Sequence, residues 1–126
     1  MEIKEKERLM LVEKKDHICE LTLEILDMAH DPESSLEIRK NVTTILSELS
    51  TIASYSDSKN RDFDELENAA NLIFSQLDLD NFVIAKCMTE VFCNAVNSIR
   101  FDFTRKGFKL VLPRIKNLNL GVNINR

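Results

Sequence analysis

Ile38, Val42, Ile45, Leu49 and Ile52 recur at steps of four, three, four and three. That spacing lays one narrow apolar stripe along a helix and leaves its remaining circumference polar. Such a helix cannot bury its stripe alone, so the segment is a seam that needs other helices beside it. The neighbouring sequence supplies them. Leu11, Ile18, Leu21, Ile25 and Met28 form a similar stripe, widened by Val12, Cys19, Leu26 and Ala29, which predicts a first helix over about Glu2–His30. Its first two turns hold only Ile3 among charges and read as a solvated extension. Asp31-Pro32 then breaks the helix, because the residue before a proline is pushed out of the α region.

Asp31 or Ser34 caps the second helix, and Ser34 with Glu37 has the form of a capping box. The polar run 54–62 follows it as a loop. Asp62 with Glu65 repeats the capping pattern ahead of a third helix through about Leu77, whose inner face is Phe63, Leu66, Ala70, Ile73 and Leu77. The short link 78–81 implies an antiparallel neighbour. That neighbour is a fourth helix over 82–96, in which only Lys86, Thr89, Glu90 and Asn94 are polar. A helix apolar on most of its circumference is central or buries a second face elsewhere, either under the rest of its own chain or against another copy.

The end of the chain changes period. Gly107 reads as a helix stop. Phe108, Leu110 and Leu112 then alternate as a short strand, and Leu118, Leu120, Val122 and Ile124 alternate with Asn and Gly. A helix would place Leu120 and Ile124 on the wrong side, whereas a strand puts all four apolar residues on one face. The expectation is a hairpin of 108–112 with 118–124, which is marginal in water by itself and must pack on the helices or pair with a partner. A loose chain end is the other reading of the same residues. The predicted architecture is all-α: an antiparallel bundle of four main helices over 1–106, with a basic C-terminal tail over 107–126 as an extended segment or β-hairpin. Two glycines and two prolines in 126 residues are too few for an all-β fold rich in tight turns.

Charge divides at the same place. Residues 1–99 hold 10 basic and 20 acidic side chains, while 100–126 hold seven basic ones and Asp102 alone. A basic tail on an acidic body favours an anionic partner, or folds back onto its own body or a neighbour's. Arg100, Arg105, Lys106, Lys109, Arg114 and Lys116, interleaved with Phe101, Phe103 and Phe108, are the possible nucleic-acid contacts, with cations on phosphates and exposed rings stacking on bases. The charged N-terminus has no apolar signal-like core, and no apolar run is long enough to cross a bilayer. Cys19, Cys87 and Cys93 sit in apolar settings and read as reduced core thiols of a cytoplasmic protein.

Motifs for chemistry are sparse. Glu13, His17, Glu20 and Glu24 share a helical ladder, but a carboxylate-bridged metal site needs matching ligands on facing helices, and none carries a second Glu-x-x-His. His30 beside Asp31 resembles the His-Asp pair of metal phosphohydrolases without the further histidines. There is no glycine-rich phosphate loop and no paired-cysteine zinc motif. The expectation is a non-enzymatic protein–protein interaction or assembly module without cofactor or metal. It forms a homo-oligomer through the apolar fourth helix (Phe82, Val83, Phe92, Val96, Ile99) and the tail (Phe108, Leu110, Leu118, Leu120, Val122, Ile124). The alternatives are a nucleic-acid-associated regulator using the basic tail, or a metal protein around Glu13, His17 and Glu20.

Overall fold

The computed structural model describes residues 3–29, 31–57 and 63–112. Helix α1 spans Glu5–Met28, α2 Ser35–Ala53, α3 Phe63–Asp78 and α4 Phe82–Asn97; a short antiparallel hairpin follows, β1 Arg100–Phe103 and β2 Phe108–Val111. Each helix packs on the next, and α4 closes the ring against α1. The result is the antiparallel four-helix bundle that the stripes predict.

The stripes are the core. Leu11, Ile18, Leu21 and Ile25 of α1 meet Ile38, Val42, Ile45, Leu49 and Ile52 of α2, with Leu66, Ala70 and Ile73 of α3 and Met88, Phe92 and Val96 of α4 completing it. Each fully buried large side chain contributes about 1.5–3 kcal/mol relative to exposure. The two buried threonines are satisfied: Thr89 donates to the Ala85 carbonyl at 2.6 Å. Thr22 donates to the Cys19 carbonyl at 2.6 Å and lies 3.1 Å from the Asn97 side-chain amide, tying α1 to α4.

Of the two caps the sequence offers α2, Ser34 makes no side-chain bond and Asp31 serves, accepting from the Glu33 N–H and the Ser34 hydroxyl, both at 3.1 Å, so that a 3-10 turn over Pro32–Ser34 leads into α2. Helix α3 ends in a Schellman motif. Asn81 N–H reaches the Gln76 carbonyl at 2.8 Å, Asp80 N–H reaches the Leu77 carbonyl, and Asp80 takes a left-handed φ of 55°. That is the geometry usually given to glycine, which aspartate tolerates. The proposed cap Asp62 lies outside the described residues.

The hairpin adds an element that the sequence reading lacks. The segment 118–124 expected opposite β2 lies outside the described residues. Strand β2 pairs with β1: Arg100 faces Val111, Phe101 faces Leu110, Asp102 faces Lys109 and Phe103 faces Phe108. Gly107 therefore ends no helix, since α4 stops at Asn97. It closes the hairpin turn, its carbonyl accepting from Thr104 N–H at 3.0 Å and its N–H bonding the Thr104 hydroxyl at 2.8 Å. A Cβ at Gly107 would overlap the Asp57 carboxylate, so close approach rather than a left-handed backbone demands glycine here.

Candidate interaction surface

The hairpin sits at the end of the bundle where α1 begins and α2 and α4 finish. One face carries Phe101, Phe103, Phe108 and Leu110 toward the helices, and the other presents Arg100, Asp102, Lys109 and Val111 outward. The three rings cluster edge-on and tilted, with centroids 5.0 Å apart for Phe101–Phe108 and 5.2 Å for Phe103–Phe108. Two cations of α1 lie over this cluster, Arg8 above Phe103 and Lys15 above Phe101. Arg8 also donates to the carbonyls of Thr104 and Arg105.

Two further segments hold the hairpin in place. Ile3, buried rather than solvated as its charged surroundings suggest, donates its N–H to the Lys106 carbonyl at 2.7 Å. Beyond α2, Asp57 N–H donates to the Phe108 carbonyl at 2.7 Å, while its carboxylate accepts from Phe108 N–H at 3.2 Å. The Ser56 hydroxyl accepts from Leu110 N–H at 3.0 Å. The outer edge of β2 is thereby occupied by the chain itself.

Strand β1 is different. Antiparallel pairs alternate between those that exchange both main-chain hydrogen bonds and those that exchange none. Phe108 and Leu110 spend their main-chain groups on Asp57 and Ser56, and Thr104–Gly107 is a bonded pair. Counting back along the ladder, Asp102–Lys109 and Arg100–Val111 are the bonded pairs of the sheet. Phe101 and Phe103 consequently turn their N–H and C=O groups to the far edge of β1. Among the described residues, no hydrogen bond engages that edge. Its solvent face carries an ion pair: Arg100 Nε and Nη2 donate to the two Asp102 oxygens at 2.8 and 3.1 Å, which holds the Asp102 carboxyl below its ordinary range.

The residues expected to form an interface are distributed unevenly. Phe92 and Val96 of α4, with Ile99 just beyond it and Phe108 and Leu110 of β2, lie in the protein's own core. Helix α4 packs against both α1 and α3, which accounts for much of its apolar circumference. Phe82 is half-buried, and Val83 stands 76% exposed. Leu118, Leu120, Val122 and Ile124 lie outside the described residues. Of the basic set, Arg105, Lys106 and Lys109 are exposed at the hairpin tip and Arg100 is held by Asp102, while Arg114 and Lys116 lie outside the described residues. The rings meant to stack on bases are instead packed together, Phe108 completely so.

The acidic ladder of α1 serves helix packing. His17 Nδ1 donates to the Glu48 carboxylate of α2 at 2.8 Å, and Asn41 of α2 donates to Glu24 at 3.4 Å. Nothing in the sequence paired His17 with Glu48, because their partnership depends on how α1 and α2 lie side by side. Glu24, Asp27, Met28, Glu37 and Asn41 line a recess of about 280 Å³. Among the described residues, no group of three or more His, Cys, Asp or Glu is placed to hold a metal ion. His30 lies outside the described residues. No helix is long and apolar enough to cross a membrane, among the described residues.

The cysteines separate by burial. Cys93 is buried, its thiol pushed up to about 12 by burial and by the nearby Glu90 charge, and it donates weakly to the Thr22 carbonyl at 3.8 Å. Cys19 is half-buried and Cys87 exposed. Since only the thiolate attacks, roughly one Cys93 in ten thousand is reactive at pH 8. Alkylation of the native protein is expected to modify Cys87 first and Cys93 only after denaturation, as read by peptide mass spectrometry.

Comparison with known proteins returns no match: no family model, curated protein or solved structure is similar to this chain.

Proposed function

We propose that this protein is a non-enzymatic assembly module that associates with copies of itself. The observation that carries the reading is the main-chain edge at Phe101 and Phe103, whose N–H and C=O groups find no partner among the described residues. An edge strand is a template for another strand, and proteins that do not use it blunt it with very short strands, charged side chains, proline or a bulge. The stretch RFDF is short and carries Arg100 and Asp102, but it has no lysine, proline or bulge. Its two charges are of opposite sign and so complement a second copy. The charge imbalance adds to the reading, since an acidic bundle ending in a basic segment attracts its own kind in the right orientation. Sedimentation velocity over a wide concentration range is expected to show a mass rising from one chain toward two. A single-chain mass at every concentration would overturn the reading.

A second reading, nucleic-acid association, is favoured by the exposed Arg105, Lys106 and Lys109 at the hairpin tip. Its signature is binding to single-stranded nucleic acid that weakens steeply with salt and is lost when those three cations are removed.

A further inference from the structure

The free edge of β1 has a composition that selects its occupant. We propose that β1 pairs with β1 of a second copy, antiparallel about a twofold axis through Phe101, to make a continuous four-stranded sheet. The inference rests on the self-association proposed above and adds its site and register.

Three self-pairings bring the outward main-chain groups of Phe101 and Phe103 into register, with the axis at Phe101, Asp102 or Phe103. An axis at Asp102 sets two Asp102 carboxylates directly opposite each other, and like charges in that position destabilise a sheet. An axis at Phe103 sets Arg100 opposite the partner's Lys106, cation against cation, and leaves Asp102 facing the partner's uncharged Thr104. The axis at Phe101 places Arg100 opposite the partner's Asp102, and Asp102 opposite the partner's Arg100. These are non-hydrogen-bonded pairs of the new ladder, where side chains approach most closely. Phe101 exchanges both main-chain bonds with the partner's Phe101, and its half-buried ring gains cover on the inner face.

Within one chain Arg100 already holds Asp102 in a bidentate pair. In the dimer the two pairs merge into a square of alternating charge on the solvent face. In this register Phe101 supplies the central main-chain bonds and Arg100 and Asp102 the outer face, while Phe103 lies opposite the partner's Ile99, a residue whose N–H is bonded to the Val96 carbonyl. The contact is small, so the dimer is weak and forms with rising concentration.

Segregating the charges tests the register. Arg100→Asp makes the solvent face of β1 wholly acidic, and Asp102→Arg makes it wholly basic. Each variant alone opposes like charges twice across the axis, and is expected to need about ten-fold more protein than wild type to dimerise. An equimolar mixture opposes acid to base at both positions and is expected to dimerise like wild type. Circular dichroism on each variant checks that the helices are intact, and recovery in the mixture itself excludes misfolding. If wild type dimerises and both variants dimerise equally well alone, or if the mixture stays as weak as its components, the proposed register is overturned while self-association stands. The segment 118–124 is then the next site to examine. If wild type never dimerises, the underlying reading falls with it.

Discussion

Replacing Phe92 by alanine is expected to destabilise the isolated chain by about 3–5 kcal/mol, measured by urea unfolding. The ring is completely buried in the middle of α4, enclosed by the other helices rather than offered to a partner. Its removal deletes a large apolar surface and leaves a cavity that tightly packed helices fill only partly. Small domains are stable by about 5–15 kcal/mol, so this one substitution removes a large share of the whole. The comparison is Val83→Asp, on the same helix but 76% exposed. A surface change of that kind is expected to stay within about 0.5 kcal/mol. A Phe92→Ala variant as stable as wild type would mean that α4 is not the centre of the bundle.

A chain ending at Lys106 is expected to be less stable by about 5 kcal/mol or more than a chain ending at Leu112. The shorter form removes Phe108, Leu110 and Leu112, which are all buried, and so strips β1 of its partner and the inner aromatic cluster of its central ring. It also removes the carbonyl and N–H groups to which Asp57 and Ser56 are bonded. Thermal melting followed at a helical wavelength reads the difference directly. Equal melting of the two truncated chains would show that the hairpin decorates the bundle without supporting it.

The helices were legible because a 3.6-residue period leaves a dense signal: the α2 stripe alone names Ile38, Val42, Ile45, Leu49 and Ile52, and all five are core. Loss of that period after Ile99 is legible too, but the partner that β2 takes on its N-terminal side is not. Arg100-Phe101-Asp102-Phe103 alternates as strictly as the terminal Leu/Asn stretch, over only four residues, and an assumed helix running to Gly107 concealed it. Gly107 was read as a helix stop on local grounds. Its true constraint is the Asp57 carboxylate, fifty residues away, which no local pattern encodes.

The interface residues suffered from the same limit. Apolar circumference on α4 was a sound observation, yet sequence does not say whether the second face meets a partner or the chain's own α1 and α3. Burial of Phe92, Val96 and Ile99 assigns them to the core. The free edge at Phe101 and Phe103 could not be read in advance, because it depends on which pairs of the ladder exchange hydrogen bonds and on Asp57 and Ser56 occupying the other side. His17 and Glu48 make the same point, since two side chains thirty-one residues apart meet only once α1 and α2 are laid together.

Light scattering coupled to size-exclusion chromatography, on the full chain beside a chain ending at Leu112, tests the central claim most directly. Both are expected to dimerise with rising concentration, because the free edge of β1 lies wholly within residues 100–103. Monomers from both at every concentration would contradict self-association, and a dimer confined to the full chain would move its site from β1 to residues 113–126.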